Sequence, residues 1–193
     1  NNSINNAFNQ GCIVVGAAGN NGNFVEFPGA NTNCICVGAI DQNNDKASFS
    51  SWKISDDYPQ KPEGHYGVDI IAPGVSLVST YDNTTITKTE GTNDSYATLS
   101  GTSMSTPMVA GIIALFLQQN PNYIGYPSNV RRALLSTSYD LGDLNYDNKY
   151  GYGMVDAKAF LLFPWTTSIY ECDDPSKINS NSDYVLNGLT KLT

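Results

Sequence analysis

The chain has 193 residues, 40% of them hydrophobic and 15% charged, with a formal net charge of −8. That composition supports one packed domain and excludes disorder of the whole chain. The acidic balance argues against DNA or RNA as a partner, because phosphate binding needs clustered Lys and Arg.

Asn1-Asn2-Ser3 carries neither a basic nor an apolar leader, so no signal peptide is visible there. Ser3 to Gln10 has a short helical pattern that Gly11 ends. Cys12 to Ala18 is a continuous apolar run of strand length, the kind that suits a parallel strand covered on both faces. Gly19 to Asn23 breaks it as a loop. Cys34 to Ile40 is a second buried strand, and Ser48 to Gln60 is polar and loop-like. Val68 to Ala72 is a third strand, stopped by Pro73-Gly74, and Val75 to Thr80 a fourth. Tyr81 to Ser95 is a polar excursion.

A helical pattern runs from Met104 to Gln119, with Pro107 expected in its first turn. Met108 to Leu117, its most apolar stretch, is interrupted by Gly111 and falls short of the roughly 18 residues a membrane span needs. Ser128 is expected to cap a helix over 129–135, and Asp156 another over 157–162, ended by Pro164. Residues 164–193 are polar and irregular and read as a linker or the start of a further module. Strands alternating with helices predict an α/β fold, a mostly parallel sheet with helices on both faces. No internal repeat is visible.

The chemistry concentrates in Gly101-Thr102-Ser103-Met104-Ser105-Thr106-Pro107-Met108-Val109-Ala110-Gly111. A turn of small residues delivers a serine to the start of an apolar helix. Unpaired backbone N–H groups and the helix dipole favour negative charge there, as an attacked carbonyl requires. The plainer reading makes Ser103 a helix N-cap.

Gly101 to Gly111 closely resembles the serine motif of the subtilases, the subtilisin-like serine proteases. Further segments match in family order. Val14 to Asn20 (VVGAAGN) resembles the strand and loop bearing the oxyanion-hole asparagine. Phe27-Pro28, Cys36 to Asp41 (CVGAID), Ala47 to Ser51 (ASFSS), Ala72 to Val75 (APGV), Val130 to Thr137 and Gly151 to Ala157 (GYGMVDA) follow. The resemblance covers residues 1–163 and implies the C-terminal part of a peptidase domain that is incomplete here.

It implies Ser103 as nucleophile of an acyl-enzyme, with its own N–H and the Asn20 amide binding the oxyanion. It implies Ala17, Ala18, Gly19, Glu26 and Thr102 as substrate-binding positions. Glu26 falls near the base of the pocket that reads the residue before the cut. There it would favour basic side chains; the alternative is a solvent-facing glutamate. Two departures from the family pattern are Met108, where the motif usually has His, and a short segment between Asn20 and Pro28.

A serine needs a base and an orienting carboxylate. In the subtilisin order Asp and His precede Ser, with His roughly 160 residues before it, and Ser103 lies closer to residue 1 than that. His65, the one histidine, lies in a polar stretch and reads as a surface loop residue. The missing groups are therefore expected from outside this sequence, on the N-terminal half of the same domain. The other possibility is an inactive subtilase-like binding or scaffold module. A lipase-type Gly-x-Ser-x-Gly is excluded by Ser105 in place of the second glycine.

The resemblance implies protein or peptide substrates, a secreted or extracytoplasmic location, and no cofactor for catalysis; it leaves a structural calcium ion open. Asp143 to Asn148 is similar to the start of a calcium loop. Asn148 and Met154, however, replace the Gly and Glu that such a loop requires, and a polar turn is expected. The four cysteines, Cys12, Cys34, Cys36 and Cys172, fit no zinc spacing. They read as buried thiols or as including a disulfide. Asn1, Asn83 and Asn93 begin glycosylation sequons.

Overall fold

The computed structural model describes residues 2–53, 67–81 and 96–162. His65, the three sequon asparagines, Cys172, most of the polar excursion and the segment from 164 onward lie outside these residues.

Every residue of the apolar run Cys34–Ile40 is buried, and it forms the central strand of a parallel sheet. We call it β2. It lies between β1 (Val14–Ala17) and β3 (Ile70–Pro73). The register sets Val14 against Cys34 and Val37 against Ile70. Burial on both faces explains why β2 shows no alternation. Cys36 and Ile40 join Ala18, Val25, Ala30, Val68 and Ile71 in one apolar cluster.

Two helices flank the first part of the chain. Helix α1 (Asn2–Asn9) precedes β1. Helix α2 (Thr102–Gln119) packs on all three strands through Thr102, Ser105, Val109, Ile113 and Phe116, a spacing of three and four that makes one face. Its Phe116 ring stacks on Phe160 at 4.4 Å and meets Tyr123 edge-on at 5.4 Å. Phe160 belongs to helix α4 (Ala157–Leu162). Asp156 caps α4 as expected, its carboxylate accepting the Ala159 N–H at 2.8 Å.

Four expectations need correction. Leu77–Thr80 (β4) does not extend the parallel sheet. It pairs antiparallel with Tyr96–Leu99 (β5), a strand missed in the sequence, to form a separate two-stranded sheet. Helix α2 begins two residues early, so Pro107 is its sixth residue and not in its first turn. A proline there withholds the N–H that would bond the Ser103 carbonyl. Ser128 is no cap: helix α3 (Pro127–Ser136) starts ahead of it, with Pro127 leading and Tyr126 at the cap position. Cys34 and Cys36 are buried thiols, but Cys12 is exposed.

A buried ion pair ties the layers together. Asp69 accepts the Cys36 N–H at 2.5 Å and an Arg131 Nη2–H at 2.6 Å. Arg131, on α3, also donates to the Thr32 carbonyl at 2.7 Å.

The sheet edges differ. The outer edge of β3 is covered, because Ile71 exchanges backbone hydrogen bonds with Gly153 and Val155. Among the described residues β1 pairs only with β2. Beside it lies a groove of about 270 Å³ lined by Cys12, Ile13, Val15, Ala110, Leu117 and Ile124, among others. Helix α2 is mostly apolar from Met108 to Leu117, and Met108, Ala110, Ala114 and Leu115 in that stretch are exposed. No described helix is long and apolar enough to cross a membrane.

Candidate active site

The carboxyl ends of β1 and β3 converge on the start of α2. The Gly101 N–H donates to the Gly74 carbonyl at 2.8 Å, and Gly74 in turn donates to Ile40 at the end of β2. A side chain at Gly74 would strike Ser105 Oγ and the Ala39 Cβ, so the loop after β3 can press directly under the turn that carries Ser103.

Ser103 is exposed and is the second residue of α2; Gly101 holds the cap position. It is therefore not an N-cap. Its N–H takes no protein acceptor among the described residues, and it sits where the positive end of the helix dipole is strongest.

Asn20 closes the other side. Its Oδ1 accepts both the Thr102 N–H and the Thr102 hydroxyl, each at 2.9 Å. Thr102 Oγ1 also accepts the Gly19 N–H at 3.3 Å. Thr102 N–H can only donate, so the amide must present its oxygen to Thr102. That leaves Nδ2 as the group offered to a ligand.

Ala17, Gly19, Asn20, Glu26, Thr102 and Ser103 line one open cleft of about 350 Å³. Six of the seven residues singled out in the sequence are thus brought together. The exception is Ala18, which is fully buried in the core; its carbonyl accepts the Glu26 N–H at 2.9 Å. Its side chain joins the buried apolar cluster with Val25, Ala30 and Ile71 instead of the cleft. Asn21, Phe27 and Pro28 also line the cleft and were not singled out. The Phe27-Pro28 bond is cis. The signal available was adjacency: Asn21 follows Asn20, and Phe27-Pro28 was already part of the matched series. Met108, where the family motif usually has His, is partly exposed on α2.

The segment at 143–148 is a turn held by Asp147. Asp147 spends its carboxylate on the N–H groups of Lys149, Tyr150 and Asp143, at 2.7, 3.0 and 3.2 Å. No group of three His, Cys, Asp or Glu side chains that could hold a metal occurs among the described residues.

Ser103 at the mouth of α2 and the Asn20 amide thus share one cleft at the strand ends, the place where open α/β sheets bind ligands. The profile of the Subtilase family matches residues 1–153. The chain belongs to that family. It is 39% identical to Subtilisin Savinase from Lederbergia lenta over 158 residues, which is 81% of this chain and 49% of that protein. The same identity over 158 residues relates it to M-protease from Shouchella clausii, covering 34% of the relative. A thermophilic serine proteinase from Bacillus sp. strain AK1 is 39% identical over 153 residues, 78% of this chain and 31% of the relative. The chain thus spans half or less of the length of these relatives.

Proposed function

We propose that this chain is the C-terminal part of the catalytic domain of a serine endopeptidase. Ser103 Oγ attacks the scissile carbonyl and forms an acyl-enzyme, which water then hydrolyses. The Ser103 N–H and Asn20 Nδ2 hold the oxyanion. A histidine and an aspartate from polypeptide outside these 193 residues supply the base and its orienter. The observation that supports this reading is the pair of hydrogen bonds that Thr102 donates to Asn20 Oδ1, which leaves the Asn20 amide nitrogen for the cleft that Asn20 and Ser103 both line. Removing one such donor costs about 10²–10³ in kcat, a magnitude measured on a subtilisin rather than calculated from this geometry.

The N-terminal half of the domain is the partner that the open β1 edge and the exposed apolar side of α2 call for. An uncovered apolar edge strand would otherwise invite aggregation. Residues 1–163 would belong to the peptidase domain, and 164–193 to a linker or a further module. Substrates are proteins or peptides, in keeping with the proteases among its relatives, and the location is secreted or extracytoplasmic, as the family resemblance implies. Catalysis of this kind needs no cofactor.

Glu26 is exposed and is the one acidic residue lining the cleft. It would favour a basic residue before the cut. A Glu26→Gln variant of the complete protease should lose preference for Lys and Arg over Phe. An unchanged ratio removes this assignment.

A fluorophosphonate probe on the complete protein tests the central claim. Labelling is expected at Ser103, and lost in Ser103→Ala. A folded protein left unlabelled would identify a binding or scaffold module instead.

A further inference from the structure

Asn21 sits between Glu26 and the loop around Ser51. Its Nδ2 donates to Glu26 Oε1 at 2.5 Å. Its Oδ1 accepts the Ser51 hydroxyl at 2.9 Å and the Asn23 N–H at 2.7 Å. The orientation follows from the partners. A backbone N–H only donates and an ionised carboxylate only accepts, so the amide fits one way round. The supporting loop is fastened along its length. Ser51 N–H donates to Gly19, Gly22 N–H to Phe49, and Trp52 and Lys53 N–H groups both to Asn23.

We infer that Asn21, braced by Ser51, is a specificity-positioning residue that holds the Glu26 carboxylate ready for a cationic side chain of the substrate. The inference rests on the reading of the cleft as the pocket for the residue before the cut. An exposed glutamate samples many rotamers, and ordering it upon binding costs affinity. Asn21 restricts it beforehand through one oxygen and leaves the second for the ligand. Because Asn21 is neutral, it does so without cancelling the charge. Gly19 makes room: a Cβ there would lie 2.9 Å from Glu26 Oε2 and 3.0 Å from Ser51 Oγ. Its φ of +107° also disfavours any side chain.

The test measures kcat and KM of the complete protease, with its histidine and aspartate present, on matched peptides carrying Arg or Phe before the cut. Glu26→Gln should lower kcat/KM for the Arg peptide about fivefold, the upper end for an exposed ion pair, and leave the Phe peptide alone. Asn21→Ala should lower it about threefold through KM, again sparing Phe, and Ser51→Ala somewhat less. The Asn21→Ala/Glu26→Gln double variant should be no worse than Glu26→Gln alone, since the two act as a unit. If Glu26→Gln shifts the Arg/Phe ratio but Asn21→Ala does not, the positioning role is wrong and the pocket stands. If Glu26→Gln shifts nothing, the pocket assignment itself fails. Equal losses on both peptides in Asn21→Ala would make Asn21 a scaffold for the loop and overturn the inference.

Discussion

Asn20 and Thr102 are 82 residues apart in the chain, and the side-chain oxygen of the first takes two hydrogen bonds from the second. One of those donors is the first N–H of α2. The asparagine therefore does what a local cap residue would otherwise do, and its own orientation is fixed in return. A single contact closes the helix mouth and points an amide into the cleft.

Replacing Thr102 by Val keeps the backbone donor and removes the hydroxyl. One neutral hydrogen bond contributes about 1 kcal/mol, so kcat of the complete protease should fall about fivefold through a loosened Asn20, with KM little changed. Steady-state kinetics on one peptide substrate measures this. A rise in KM with kcat intact would mean that Thr102 binds substrate instead.

The Arg131–Asp69 pair is fully internal, with side-chain exposures of 4% and 0%. Removing one partner leaves a buried charge unsatisfied, so Arg131→Met should destabilise the fold by about 3–5 kcal/mol. Converting both, with Asp69→Asn added, should recover part of the loss. Urea denaturation of the parent and the two variants provides the comparison, and a loss under about 1 kcal/mol in Arg131→Met would contradict this account.

Burial, with the Asp69 charge nearby, pushes the Tyr146 hydroxyl above its ordinary value of 10.0. The folded state thus keeps a proton that the unfolded state releases above that pH. The corresponding stability is present below pH about 10 and is lost as the pH rises past it. Melting curves between pH 8 and 11 should show a shallower alkaline decline in Tyr146→Phe than in the parent. Parallel declines would mean that Tyr146 ionises as freely as an exposed tyrosine.

Leu115 is 52% exposed on the apolar side of α2. If the N-terminal half of the domain covers this side, Leu115→Glu should cost the complete protein about 2 kcal/mol or more. The same change in the 193-residue chain alone should be nearly neutral, and should reduce its self-association in sedimentation experiments. Equal behaviour in both contexts would show that this face stays in water.

Local chemistry settled much in advance. An unbroken apolar run made β2 a doubly covered strand, Gly11 ended α1, and Asp156 capped α4 from within its own turn. The Ser103 segment and the Val14–Asn20 segment were legible because their residue types and order carry the family's pattern. Tertiary structure decided what depends on partners distant in the chain. The β4–β5 hairpin was missed because its two short strands are recognisable only once they pair. The start of α2 was placed late because the acceptor that caps Thr102 arrives from the end of β1. Asn21 meets Ser51 across 30 residues of chain while it holds Glu26, and the grip of Arg131 on Asp69 spans 62. Periodicity and capping act over a turn or two of chain. A hydrogen bond across the fold exists only when register, loop path and rotamer coincide, and packing sets all three.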